Sequence, residues 1–567
     1  MDSTILIGGE AGLGSARTSS MLGRAFTTMG YYVFNYRDYP SLIRGGHNFN
    51  ILHISSEPVA SYDNSYDIIL ALDKKTIEKH EKNLKKDGII IVEKSLMNNN
   101  VKTRRDKIII IDSSQIIQKY SFPNIMINNI LAGALFRIMG LSIDPLLIAA
   151  EKEFKSKAEN IKIAIKEGYE IAKNFSKNIK LENIEEDEKD KKIETNKSKI
   201  FISGNEAIGL GAIASNLDIY FAYPMTPATP LMNFLAARQK QHGFLVLQLE
   251  DEIACINAAI AASYAGAITM TGTSGGGFAL MTEAISLQGM NEIPLVVYLA
   301  QRTGPSTGVP TYTEQADLEF AIKAGHGEFP KVVIAPGDAK EAFQRTIEAF
   351  YLSQKYRVVS IILGDKHLGE SMYSFDTLEF DESLIPKKIK INEDKKDYKS
   401  YLITNNGVSP RELPGSNFVV RASSYEHDEY GITTEKPEEI ARMKEKRLRK
   451  LISIEEEVKR FNPFSIFGNG ENIIIGWGST KGAIIDALKS LDDYKFIQIS
   501  YLSPFPRDLE KEFKKAKSLV LVENNATGCL SRVIAENTGI IIDKKILKYD
   551  GRPFTPKEII ENIKKLK

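Results

Sequence analysis

The chain has 567 residues, 43% hydrophobic and 26% charged, which excludes wholesale disorder and exceeds what one hydrophobic core normally serves. Lys and Arg number 74 against 73 Asp and Glu, a formal net charge of +1 that argues against a general nucleic-acid or membrane-surface binder. Two cysteines, Cys255 and Cys529, cannot supply an iron–sulfur cluster, a Cys-rich zinc site or a disulfide framework, and no apolar run reaches the ~18 residues of a spanning helix.

In chain order, Asp2 stands just ahead of the apolar run 5–8, which reads as the first strand of a fold with no basic leader, so a reduced, cytoplasmic protein is expected. Segments 4–8, 31–36, 48–54, 67–70, 88–92 and 107–112 read as strands alternating with helices, the pattern of a mainly parallel α/β sheet. A Gly-rich turn, 8–14, opens a helix near Ser15, and 123–173 reads as helical. Residues 176–199 are mostly charged or polar without apolar period, the composition of a solvated linker.

From residue 200 the α/β pattern restarts, with strands at 219–222, 245–249, 267–271, 295–299, 332–335 and 359–363 and helices at 251–264 and 278–290. Residues 365–435 carry few periodic signals. A long helix follows at 437–458, with Pro437 in its first turn and an apolar stripe of Ile440, Met443, Leu448 and Leu451. A last unit has strands at 473–476, 496–499, 518–522 and 539–542. The expectation is a multidomain α/β protein: three α/β domains at 1–175, 200–365 and 470–567, with an irregular insert and long helix at 366–469.

Two motifs stand out. Gly9, Gly12 and Gly14 could cradle an anion at a helix start, but the spacing is neither a dinucleotide fingerprint nor a P-loop, and Glu10 would repel phosphate. A tight turn with close packing explains them at least as well. The stretch Tyr223-Pro224-Met225-Thr226-Pro227-Ala228-Thr229-Pro230 follows a strand, where ligand-binding loops of parallel sheets lie. Its prolines hold Thr226 in a stiff loop, suiting either a substrate-positioning hydroxyl or a plain strand end.

This stretch, preceded by Gly204-Asn205-Glu206-Ala207-Ile208-Gly209-Leu210-Gly211-Ala212, resembles the opening of the alpha subunit of 2-oxoacid:ferredoxin oxidoreductases. These thiamine-diphosphate enzymes oxidise 2-oxoacids to acyl-CoA and pass electrons to ferredoxin. Further similar segments follow in order: 248–252 (QLEDE), 271–276 (TGTSGG), 301–308 (QRTGPSTG), 426–431 (EHDEYG) with Thr434 and Glu435, and 549–554 (YDGRPF). The N-terminal region, with its Gly-rich start and 41–47 (SLIRGGH), is similar to the gamma subunit, so nearly the whole chain reads as a gamma–alpha fusion. Met225 and Ala228 replace the family's usual Ile and Ser, which puts substrate preference in question rather than activity.

The resemblance implies roles. The coenzyme's aminopyrimidine works once a buried carboxylate bonds its N1′, and Glu252 at the start of a small-residue helix matches the family glutamate, with Glu250 and Asp251 as rivals. Three acids there would otherwise simply suit the helix dipole. Arg302, after an apolar strand, matches the arginine that grips the planar 2-oxoacid carboxylate, and Thr226 would hydrogen-bond the bound substrate, with Tyr223 and Pro224 beside it. Ser274 and Gly275 imply a backbone approaching the coenzyme or a neighbouring chain. Cys255 reads as a buried small hydrophobe, and His427-Asp428-Glu429 as a polar domain-contact motif.

A Gly-Asp-Gly…Asn grip for Mg2+ and diphosphate and four cluster cysteines are both absent from the sequence. In the family they belong to a beta subunit, so a partner chain carrying Mg2+ and [4Fe–4S] is implied, with ferredoxin, CoA and a small 2-oxoacid as further partners and no nucleic acid, membrane or metal on this chain. The domains become gamma-like, thiamine-diphosphate-type pyrimidine-binding and transketolase-C-like. The fused two-chain form resembles the archaeal broad-specificity type. A non-oxidative thiamine-dependent decarboxylase subunit and a catalytically silent partner-binding scaffold are the alternatives.

Overall fold

The N-terminal apolar runs assemble into an eight-stranded sheet. A computed structural model describes residues 2–42, 45–97, 108–175, 198–389 and 397–566. The strands lie in the order Ile108–Ile111, Leu84–Glu93, Tyr66–Ala71, Asp2–Ala11, Gly45–Ser55, Tyr32–Asp38, Met372–Phe375 and Ile200–Ser203. Asp2–Ala11 and the three strands on one side of it are mutually parallel. On the other side the pairs involving Gly45–Ser55 and Tyr32–Asp38 are antiparallel.

This corrects the expectation of a mainly parallel sheet. The connection 39–44 is too short for the dozen or so residues of a parallel crossover, so the strands on either side of it must run in opposite directions. Their apolar composition hid this, because a strand buried on both faces reads alike in either direction. A second surprise is Met372–Phe375, inside the stretch expected to be irregular, which pairs with Asn35 and Phe34. The linker expected at 176–199 lies outside the described residues up to 197, as do Ile43 and Arg44 of the 41–47 motif.

The chain divides into two compact units, the first comprising Met1–Ile202 with Ser371–Leu378 and Thr555–Glu558. The second holds two sheets. One has seven strands in the order Tyr501–Ser503, Lys331–Ile334, Val359–Asp365, Leu295–Gln301, Thr269–Thr273, Ile219–Ala222 and Leu245–Gln248. All its pairs are parallel except the one made by Tyr501–Ser503. The other has five, in the order Phe464–Phe467, Tyr494–Ile499, Asn472–Gly476, Ser518–Glu523 and Lys544–Leu547. One apolar cluster, including Val297, Ile361, Ile475 and Trp477, serves both sheets.

Three local expectations change. The helix expected at 278–290 begins earlier, as Gly275–Asn291. No strand forms at 539–542: Gly539, at φ +72°, ends the helix Cys529–Thr538, and the edge strand starts only at Lys544. The long helix is Pro437–Val458 as expected, but its buried face is Met443, Lys446, Arg447, Lys450, Ile454 and Val458. Leu448 is instead exposed. Charged partners waiting in the packed layer, Glu292 and Glu426, draw the cations inward in place of the apolar stripe.

Candidate active site

Four neighbouring parallel strands of the seven-stranded sheet end side by side, and each delivers one of the expected site segments. After Leu245–Gln248 comes the helix Glu252–Tyr264; after Ile219–Ala222 the Pro-rich loop; after Thr269–Thr273 the helix Gly275–Asn291; after Leu295–Gln301 comes Arg302. Carboxyl ends of adjacent parallel strands are where open α/β sheets bind ligands.

The three acids at 250–252 separate cleanly. Glu250 is exposed, and Asp251 caps its helix by accepting from Ala254 N–H at 2.8 Å. Glu252 is 4% exposed, and its Oε1 has no hydrogen-bond partner among the described residues. A buried unpartnered carboxylate oxygen is costly and needs an explanation. Gly277 makes the position possible: a Cβ there would sit 2.4 Å from Glu252 Oε1 and 2.1 Å from Thr273 Oγ1.

The remaining groups join in a chain of contacts. Thr273 Oγ1 lies 3.7 Å from Met225 Sδ. Arg302 Nη1 donates to Thr226 O at 2.8 Å, and its Nε has no partner among the described residues. Burial lowers the Arg302 pKa, with Asp317 pulling the other way. Asn205, fully buried, donates through Nδ2 to Pro227 O at 3.1 Å and so steadies the loop that carries Thr226. Thr226 and Pro224 are half-buried, whereas Tyr223 is exposed at the rim. Ser274 is fully buried with its hydroxyl unpartnered among the described residues. Gly275 lies under Asp317, whose Oδ2 would be 2.7 Å from a Cβ at that position.

Asp317 and Glu314 carry no signal of their own in the sequence, since single acids in a turn-rich loop look ordinary; Asn205 stands within the 204–212 stretch but without a role of its own there. Burial, then Glu314, pushes the Asp317 carboxyl up to about 6, against the pull of Arg302. Burial also raises Glu314, whose Oε2 accepts from Gly304 N–H at 3.0 Å.

Elsewhere the expected motifs resolve as architecture. His427 is fully buried against Tyr401, the two rings tilted at 32° with centroids 3.8 Å apart. Asp428 Oδ1 accepts from Tyr430 and Ile432 N–H, and Glu429 Oε1 accepts from Ile403 N–H, so the three side chains diverge. Cys255 is buried in the apolar cluster behind Glu252. Among the described residues no group of three or more His, Cys, Asp or Glu could hold a metal ion, and no helix is long and apolar enough to cross a membrane.

In the first unit, the strand Asp2–Ala11 leads through Gly12 (φ +97°) and Gly14 (φ +85°) into the helix Ser15–Thr28. A cavity of about 790 Å³ opens there, lined by Gly12, Gly14, Arg17, Arg37, Asn128 and Lys157 among others. Glu10 pairs with Lys75 at 3.7 Å and does not line it.

Comparison with known proteins identifies the family. Residues 210–446 match the family profile of pyruvate flavodoxin/ferredoxin oxidoreductases described as thiamine-diphosphate-binding, and residues 4–171 match a second profile, pyruvate ferredoxin/flavodoxin oxidoreductase. The alpha subunit of a 2-oxoacid:ferredoxin oxidoreductase from Saccharolobus solfataricus is 33% identical over 99% of this chain and 97% of its own. The subunit KorA of a 2-oxoglutarate synthase from Methanocaldococcus jannaschii is 32% identical over 57% of this chain and 88% of its own. A solved 2-oxoglutarate:ferredoxin oxidoreductase from Magnetococcus marinus, with 2-oxoglutarate, coenzyme A and succinyl-CoA bound, superposes with a TM-score of 0.88 at 28% identity, covering 100% of this chain and 99% of that one. The chain belongs to the family of 2-oxoacid:ferredoxin oxidoreductase alpha subunits.

Proposed function

We propose that this chain is the catalytic alpha subunit of a cytoplasmic, thiamine-diphosphate-dependent enzyme that oxidatively decarboxylates 2-oxoacids to acyl-CoA and CO2 with ferredoxin as electron acceptor. The observation that carries the reading is Glu252: a buried carboxylate whose Oε1 has no partner among the described residues, at a helix start where Gly277 leaves room for it. That arrangement fits a coenzyme whose ring nitrogen N1′ needs a carboxylate partner. When bound, thiamine diphosphate supplies a carbon nucleophile at its thiazolium C2.

The other residues divide the work. Glu252 holds the proton shared with N1′. Arg302, with Nε unpartnered among the described residues and Nη1 anchored on Thr226 O, pairs with the substrate carboxylate. The Thr226 hydroxyl hydrogen-bonds the 2-oxoacid, and Tyr223 and Pro224 form the rim. Buried Ser274 and the chain at Gly275 line the coenzyme side. A partner beta chain holds the Mg2+–diphosphate end and a [4Fe–4S] cluster, because two cysteines cannot ligate one here. The cavity beside Gly12 and Gly14 suits the phosphates of CoA, with Arg17, Arg37, Lys157 and a helix N-terminus around it.

The test is to co-express the chain with its candidate beta subunit and follow anaerobic viologen or ferredoxin reduction with thiamine diphosphate, Mg2+, CoA and a panel of 2-oxoacids. CoA-dependent reduction is expected, and the substrate ranking defines the preferred 2-oxoacid. A brown, coenzyme-loaded complex that reduces neither acceptor with any 2-oxoacid overturns the proposal.

A further inference from the structure

The segment 549–554, Tyr-Asp-Gly-Arg-Pro-Phe, has no place in the site just described, yet it touches the loop that leads away from Arg302. That loop, 302–317, has an exposed tip at 304–309 and a buried return at Thr313 and Gln315. The return is held from the five-stranded sheet at several points. Thr313 N–H donates to Gly551 O at 3.1 Å, and the Arg552 guanidinium lies 3.6 Å from the centroid of the Tyr312 ring. Gly551, at φ +78°, is packed so closely that a Cβ would come within 3.0 Å of Tyr312 Cβ and 3.3 Å of Thr303 Oγ1.

Gln315 forms the second grip. It is fully buried, and its backbone and side chain are both engaged. Its N–H donates to Asn524 O at 2.8 Å, and its Oε1 accepts from Asn524 N–H at 2.9 Å. Its Nε2 donates to Trp477 O at 2.8 Å, and its O accepts from Asn525 Nδ2 at 2.9 Å. Asn524 Nδ2 closes the circuit by donating to Lys548 O and Arg552 O at 2.8 and 3.2 Å. Behind it Glu523, fully buried, accepts from Trp477 Nε1–H at 2.8 Å and Leu530 N–H at 3.1 Å.

We infer that the five-stranded sheet positions Arg302 for substrate, acting through Gln315 and through the stacking of Arg552 on Tyr312. This rests on the reading that Arg302 grips the 2-oxoacid carboxylate. A loop with one root at a strand end and the other pinned by a buried glutamine keeps its first residue in register. Freed at the second root, it lets the guanidinium drift, and small misplacements of a substrate-holding group are expensive. Gln315, Tyr312 and Arg552 are thus positioning residues.

The experiment uses the complete complex with its beta chain and measures kcat, KM for the 2-oxoacid, KM for CoA and thiamine diphosphate affinity. Tyr312→Ala and Arg552→Ala should each raise the 2-oxoacid KM roughly three- to tenfold, with the other constants unchanged. The double variant should go no further than the larger single. Gln315→Ala should raise it at least as much; should that variant fail to fold, the Tyr312 and Arg552 set decides. Singles that leave the 2-oxoacid KM unchanged, or that weaken coenzyme binding in step with it, overturn the inference. An Arg302→Ala variant with parental 2-oxoacid KM overturns the reading of Arg302 and the inference with it. A raised KM in Arg302→Ala alone overturns the inference only.

Discussion

Glu252 and Glu292 are both buried glutamates of the same unit, at opposite kinds of helix end. Glu252 begins the helix Glu252–Tyr264, while Glu292 ends Gly275–Asn291 in the left-handed conformation at φ +50°. Glu292 is met by cations on both carboxylate oxygens: Lys446 Nζ donates to Oε1 at 2.6 Å, and Lys450 Nζ lies 2.5 Å from Oε2, paired by charge though not aligned for a hydrogen bond, while Arg357 Nε donates to the backbone carbonyl at 2.8 Å. Burial works against the Glu292 carboxylate, yet Lys450, Lys446 and Arg357 hold its pKa well below the ordinary range. Among the described residues Glu252 has no cationic partner, and nothing hydrogen-bonds its Oε1. A buried acid that the fold itself neutralises is an internal pin between layers; one left unanswered among strand ends is kept for something that binds there.

Substitution should separate the two. In the complete complex Glu252→Gln is expected to lower kcat by about 10²–10⁴-fold, the scale of a lost proton-handling group, while the thermal midpoint holds or rises because no protein contact is lost. Glu292→Gln should do the reverse. It strands Lys446 and Lys450 around an uncharged group, a loss of about 3–5 kcal/mol read as a lower denaturation midpoint, while correctly folded enzyme keeps parental KM values. A Glu252 variant with full turnover, or a Glu292 variant with full stability, breaks the distinction.

Arg302→Lys sharpens it from the substrate side. Lysine keeps the charge but not the planar fork or the bond to Thr226 O, so the 2-oxoacid KM should rise by about 10–100-fold with CoA KM unchanged. An equal loss with every substrate would point to a general collapse of the loop instead.

Which of these residues showed in the sequence follows from range. Glu252, Thr226 and Arg302 lie just past strand-like runs, and position relative to a strand end is local information. Family resemblance already favoured Glu252 over its rivals Glu250 and Asp251, but that it is the buried one of the three, packed against Gly277, shows only in the fold. The buried cations of Pro437–Val458 were invisible because their partners stand far away in the chain: Glu292 is 154 residues from Lys446. Met372–Phe375 escaped for the same reason, a short run whose partner strand lies near the N-terminus. Direction within the first sheet is encoded in the shortness of 39–44, which apolar periodicity does not register.

The smallest expected effect concerns Asp317, an acid that is neither neutralised like Glu292 nor left free like Glu252. Burial and Glu314 push its carboxyl up to about 6, while Arg302 draws it down. A raised carboxyl pKa means that the proton stays on where an ordinary aspartate has already lost it. Below about pH 6 Arg302 therefore faces a neutral acid, and above it an anion that competes with the substrate carboxylate. The 2-oxoacid KM should accordingly climb a few-fold as pH rises through about 6, with kcat moving less, and Asp317→Asn should hold it near its low-pH value throughout. An inflection that survives in Asp317→Asn rules Asp317 out as the group that sets it.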